Sequence, residues 1–124
     1  MKRPLTMSVE TGWLLIGADV RDRSMRLVFG RSELMAHPIG LTIGRHPALS
    51  ERVLDEPSIS RRHDRLALDG GVLVVEDLNS LNGTLIDGME LEPFAPRRLA
   101  PGQTLTLGAV ELRIEALGDD EARP

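Results

Sequence analysis

The chain reads as an all-β domain, a sandwich or barrel of short strands. Three observations predict this. The runs of Leu, Val, Ile and Thr are short. They are punctuated closely by 12 glycines and 8 prolines. No stretch sustains the i, i+3, i+4, i+7 apolar spacing of an amphipathic helix. Strands are predicted at 13–19, 25–29, 33–36 and 39–44, then at 63–68, 72–77, 84–86, 97–99, 104–107 and 110–117. Trp13, in the first of them, is expected to plug the core. Arg21, Arg23, Arg26 and Arg31 surround the first two strands and read as a solvated edge that discourages edge-to-edge association. Segment 46–58 is mostly polar and reads as a loop with room for one short strand at Val53-Leu54. Asp69-Gly70-Gly71 and Asp87-Gly88 are predicted hairpin turns, because glycine tolerates the positive φ such turns demand. Pro101-Gly102 is a further turn, with proline presetting φ. Two alternating runs flank Gly108 and are expected to pair as a C-terminal hairpin.

Composition bounds the function. With 124 residues there is length for one hydrophobic core, placed at 12–117 between a flexible N-terminal segment, 1–11, and a flexible acidic tail, 118–124. The core must be aliphatic, since there are two Phe, one Trp and no Tyr. A net charge of −4 argues against nucleic-acid binding, and the aromatics are too few to stack bases. Cysteine is absent, which excludes disulfides and thiolate metal sites. His37, His46 and His63 are too dispersed for a metal motif, and there is no Walker-type glycine-rich lysine loop. No metal or cofactor is therefore expected. The apolar run at 13–18 is too short and too far from Met1-Lys2-Arg3-Pro4 for a leader or a membrane span. The expectation is a cytoplasmic protein with no membrane partner.

Three clusters carry the chemistry. They are Gly44-Arg45, then Ser60-Arg61-Arg62-His63, then Asn79-Ser80-Leu81-Asn82-Gly83-Thr84. The first ends one apolar alternating run, and the third follows another. Arg45, Ser60 and Asn82 thus fall at strand ends and in loops, where side chains can converge on one small group. Arginine brings a permanent charge and a planar fork of donors, while serine and asparagine bring neutral donors. That set suits a dianionic, oxygen-rich group such as a phosphate. Residues 58–65 add Arg61, Arg62 and Arg65 against the single acid Asp64, a local basic spot on an acidic chain. Asn79 and Thr84 are expected to stabilise their loop by bonding local backbone.

The order and spacing of Ile43-Gly44-Arg45, Ser60-x-x-His63 and Asn79-Ser80-x-Asn82-Gly83-Thr84 resemble the signature of forkhead-associated (FHA) domains. The resemblance runs from about Leu41 to Leu117. It implies a β-sandwich of two mostly antiparallel sheets and about eleven strands, of the SMAD/FHA-like type, that binds phosphothreonine peptides. It further implies that Arg45 contacts the phosphate, that Ser60 donates its hydroxyl to it, and that Arg61 adds a further contact. Asn82 would hydrogen-bond the peptide backbone. His63 would brace the Ser60 loop, while Gly44 and Gly83 would stand where the backbone needs room or an unusual φ. Leu81 departs from the pattern, because many members carry Thr or Ser there and leucine cannot donate to a phosphate. Some bacterial members close their own site with a phosphorylated N-terminal threonine, a role open here to Thr6 or Thr11.

The implied protein is a non-catalytic adaptor. Its partners would be a phosphothreonine-containing protein and, upstream, the Ser/Thr kinase that modifies it. Two other readings compete. A hydrolase would use Ser60, His63 and Asp64 or Asp77 as a triad, but no G-x-S-x-G elbow surrounds Ser60. A phospho-independent scaffold would instead bind through a sheet face.

Overall fold

Strand-period alternation builds two sheets whose inward faces meet in one aliphatic core. The computed structural model describes residues 11–118. The expectations for the N-terminal segment and the acidic tail, with Thr6, therefore lie outside the described residues, apart from Thr11 and Gly118. The strands are β1 (Gly12–Ala18), β2 (Ser24–Gly30), β3 (Leu41–Gly44), β4 (Arg52–Val53), β5 (Asp64–Asp69), β6 (Val72–Asp77), β7 (Thr84–Ile86), β8 (Met89–Glu90), β9 (Arg97–Arg98), β10 (Thr104–Leu107) and β11 (Val110–Leu117). One sheet has the order β2-β1-β11-β10-β7-β8 and the other β4-β3-β5-β6-β9. Their pairings are antiparallel except for β3 with β4. This is the two-sheet, mostly antiparallel sandwich that the resemblance implies.

Alternation is clearest in β11, where Val110, Leu112 and Ile114 are buried and Glu111, Arg113 and Glu115 are exposed. The core is leucine, isoleucine and valine around two aromatics, Trp13 and Phe29. Each such buried side chain contributes about 1.5–3 kcal/mol.

Three local expectations need correction, and one strand was not expected. The strand predicted at 33–36 is a short helix, α1 (Arg31–Ala36). Glu33, Leu34, Met35 and Ala36 are all good helix formers. Leu34 is the one buried side chain, and the His37 N–H closes the end on the Leu34 carbonyl at 3.1 Å. A helix that buries one residue displays no period. The strand predicted from 39 starts only at Leu41, because the Gly40 N–H turns back onto the His37 carbonyl at 2.8 Å. β8, which the sequence did not reveal, is two exposed residues after the Asp87-Gly88 turn. Arg31 is no solvated edge charge: it lies over the Trp13 ring at 4.8 Å and donates to the Gly71 carbonyl at 3.1 Å. Arg23, by contrast, stays half-exposed and pairs with Asp19 at 2.7 Å.

The register of the second sheet gathers the site. Ile43 near the end of β3 lies opposite Asp64 at the start of β5, and Asp64 lies opposite Asp77 at the end of β6. The loops that leave β3, enter β5 and leave β6 thus emerge side by side. These are 45–51, 54–63 and 78–83.

Candidate functional site

Close backbone approach begins the site. The Arg45 N–H donates to the Ser60 carbonyl at 2.9 Å, and the His63 N–H to the Ile43 carbonyl at 2.8 Å. Gly44 lies between them. A Cβ there would collide with the Arg61 carbonyl oxygen and with Ser50 Oγ. Glycine at 44 is what lets the 54–63 loop lie against the end of β3. Ser50 Oγ then donates to the same Arg61 carbonyl at 2.7 Å.

The segment before Ser60 is tied down twice. Glu56 is buried and accepts from the Ser58 N–H at 2.8 Å and from the Ser58 hydroxyl. Ser58 Oγ accepts the Ala109 N–H at 2.8 Å, which anchors the loop to the β10–β11 turn.

The third loop is held by an acid beneath it. Asp77 accepts the Ser80 N–H on Oδ2 at 3.0 Å and the Ser80 hydroxyl on Oδ1 at 2.6 Å. The Gly83 N–H then donates to Ser80 Oγ at 2.9 Å. Asn79 contributes a left-handed backbone, φ 64°, rather than a side-chain bond, and Gly83 a φ of 85°. Asparagine and glycine are the residues that take this conformation most readily.

His63 is buried between the loops. Its Nδ1 accepts the Ser60 N–H at 3.0 Å, so the ring proton sits on Nε2 and is donated to the Gly83 carbonyl at 2.9 Å. One neutral imidazole therefore ties the second loop to the third. Burial pulls its pKa below the ordinary value, against the Gly83 bond and the Asp77 charge, which favour the cation. His63, Asp64 and Asp77 can each bring an atom within 4.8 Å of the others. Both ring nitrogens are already spent, so the group is a hydrogen-bonded unit and a poor metal cage. The same bonds argue against a triad, because His63 meets the backbone of Ser60 and not its hydroxyl.

The side chains above this base border an open cleft of about 450 Å³. Arg45, Ser60, Arg61 and Asn82 all line it, with Arg62, Ser58, Asn79 and Leu81. Arg45 spends its Nε on the Ile59 carbonyl at 2.9 Å, which fixes the guanidinium plane. Among the described residues its two terminal nitrogens have no partner. Ser60 Oγ accepts the Leu81 N–H at 3.0 Å, leaving its own proton to give. Asn82 donates to the Ser58 carbonyl at 2.9 Å, leaving its Oδ1 open. Among the described residues, three arginines and no acid line the cleft.

Two details differ from the sequence reading. Arg65 is not part of the basic spot, because it lies on the sheet and faces Glu76 at 3.7 Å. Asp64 does not offset the spot, because it is buried in the core. Arg45 takes the place that Arg65 was given. Thr84 is fully buried, and its hydroxyl meets Asp64 and Asp77 rather than backbone. Ser80, Asp77 and Asp64 were missed as loop supports. The signal was present: Asp64 shares a strand face with Leu66, and Asp77 shares one with Leu73 and Val75.

Comparison with known proteins agrees with this geometry. The glycogen accumulation regulator GarA of Mycolicibacterium smegmatis is 41% identical over 69 residues, 56% of this chain and 41% of that protein. The chain spans less than half the length of the curated relatives it matches. The solution structure of the FHA domain of an Arabidopsis thaliana hypothetical protein superposes with a TM-score of 0.70 at 25% identity, over 88% of this chain and 87% of that one. An FHA domain solved in a study of phosphothreonine-dependent FHA interactions superposes with a TM-score of 0.62 at 28% identity, over 84% and 95%. The profile described as FHA domain matches residues 41–108, more than half of the sequence and the whole of the loop-bearing region. The chain belongs to the FHA domain family, a family of phosphopeptide-binding modules.

Proposed function

We propose that the protein is an adaptor that binds a phosphothreonine-containing segment of a partner modified by a Ser/Thr kinase, without catalysis. One observation carries this reading: Arg45, Ser60 and Asn82, from three separate loops, border one cleft, each with hydrogen-bonding capacity unused. The two terminal nitrogens of Arg45 suit two phosphate oxygens, the Ser60 hydroxyl suits another, and Arg61 adds charge. Asn82 is placed to read the extended backbone beside the modified residue. Recognition of phospho-motifs by arginine clusters is a recurrent binding mode. The phosphothreonine dependence named for the similar solved domain supports the choice of threonine.

Fluorescence anisotropy with matched phosphothreonine, phosphoserine and unmodified peptides from an oriented library tests it. The expected result is tightest binding of the phosphothreonine form, weakened by roughly ten- to a hundredfold in Arg45→Ala. Equal binding of all three forms would overturn it in favour of a sheet-face scaffold.

A further inference from the structure

We propose that Asp64 keeps its proton in the folded protein and serves as a positioning residue for the 79–83 loop: its neutral carboxyl donates to Thr84 Oγ1, Thr84 donates to Asp77, and Asp77, left ionised, holds Ser80. The inference rests on proton counting. Thr84 Oγ1 lies 2.6 Å from Asp64 Oδ1 and 2.7 Å from Asp77 Oδ1, and all three residues are buried. A threonine hydroxyl has one proton to donate. It can satisfy one carboxylate, and an ionised oxygen at the second distance would face a lone pair. The two contacts are both hydrogen bonds only if one acid supplies a proton to the hydroxyl.

The surroundings decide which acid holds it. Asp77 accepts from the Ser80 N–H, the Ser80 hydroxyl and Thr84, so both of its oxygens are already occupied as acceptors. Among the described residues Asp64 has the single contact, and its Oδ2 is buried with no hydrogen-bond partner. An unpartnered oxygen is far less costly on a neutral acid than on an anion. The groups facing Asp64 are Ile43 from β3, Asp77 from β6 and Thr84 from β7. His63 beside it turns its ring to Ser60 and Gly83. Among the described residues no cation pairs with Asp64 or Asp77. Two anions directly opposite on neighbouring strands would repel. Burial pushes the Asp64 carboxyl well above its ordinary range and the Asp77 charge adds to it, whereas a Thr84 hydroxyl that donated to Asp64 would work against it.

The role follows from the connections. The chain runs Asp64, Thr84, Asp77, Ser80 and on to the Gly83 N–H, so the proton on Asp64 reaches the loop that carries Leu81 and Asn82. The proposal deepens the phosphopeptide reading, because that loop borders the cleft. The proton itself can be tested without any ligand.

The test is a titration by nuclear magnetic resonance of the full chain with ¹³C-labelled aspartate, paired with urea unfolding of the wild type and Asp64→Asn at several pH values. An asparagine offers a neutral donor of the same shape. The expected result is an Asp64 carboxyl that stays protonated at neutral pH. In the unfolded chain Asp64 ionises near its ordinary value, about 3.9. Above that pH the native state holds one more proton, so wild-type stability falls as pH rises until the folded carboxyl ionises. The folding constant of Asp64→Asn relative to the wild type should therefore rise about tenfold per pH unit across that window. The Ser80, Leu81 and Gly83 amide signals should move with the Asp64 midpoint in the wild type and stay fixed in the variant. An Asp64 carboxyl that titrates with the ordinary aspartates would overturn the proposal. So would a ratio independent of pH, loop amides indifferent to Asp64, or an Asp64→Asn chain that does not fold. Failure of the ligand reading would look different: no phosphopeptide bound at any pH by a wild type whose titration is as expected.

Discussion

The loop end of the sandwich has two layers of polar side chains, and they are built on opposite terms. The outer layer, Arg45, Ser60, Arg61 and Asn82, borders solvent and leaves donors and acceptors unspent. The inner layer, His63, Asp64, Asp77 and Thr84, is buried, and Asp64 Oδ2 is its one side-chain oxygen or nitrogen without a partner. Unspent capacity at a surface is compatible with a ligand, while spent capacity in a core holds shape. Changes in the outer layer should therefore alter binding at nearly constant stability, and changes in the inner layer should alter stability first.

The sharpest way to break the distinction is at the seam between the layers. Gly44→Ala places a methyl group against the Arg61 carbonyl, and overpacking against backbone should cost about 3 kcal/mol. Its urea midpoint should fall well below that of the wild type; an unchanged midpoint would show that the seam is looser than the structure has it. Arg45→Ala should weaken phosphothreonine-peptide binding by roughly ten- to a hundredfold, the usual loss for a charge-assisted hydrogen bond, with only the small fall in Tm that loss of the Nε bond to Ile59 brings. A fall in Tm with binding intact would reverse the layer assignment for this residue.

Thr84→Val keeps the shape of the inner layer and removes the hydroxyl between two acids. Loss of that buried bridge should cost about 2 kcal/mol in urea unfolding. A chain as stable as the wild type would mean the bridge contributes nothing. His63 gives a pH signature. Burial holds its folded pKa below the ordinary value, so the unfolded chain takes up a proton first as pH falls below about 6.5. The stabilising contribution of neutral His63 is complete above that pH and is lost as pH drops toward the folded pKa. Measured in the Asp64→Asn background, where the opposing slope from Asp64 is removed, unfolding free energy should decline on acidification. A flat profile would place His63 among the ordinary exposed histidines. Arg62→Ala is the smallest change expected: a few-fold loss of affinity at low salt that fades as salt is raised.

The same division governed what the sequence disclosed. Long alternating strands such as β6 and β11 and the glycine turns were legible because their period is local. So was the outer layer, because Arg45, Ser60 and Asn82 lie in recognisable motifs beside turn residues. Helix α1 was not legible, since one buried leucine in six residues sets no period. β8 was missed because both of its residues are exposed. Of the inner layer, His63 and Thr84 were named with the motifs, while the two acids escaped because they are brought together by register, Asp64 opposite Asp77 with Thr84 folded between them, and no local pattern states a register. The inward parity of Asp64 and Leu66 on one strand was the available clue.

Entry of ligand between the three loops can be followed by titrating ¹⁵N-labelled protein with a phosphothreonine peptide and mapping the amide signals that move. Changes should concentrate at Arg45, Ser60, Arg61, Leu81 and Asn82, and be absent with the unmodified peptide. Changes spread along the outer faces of β1, β2 or β11, with the loop signals still, would contradict it.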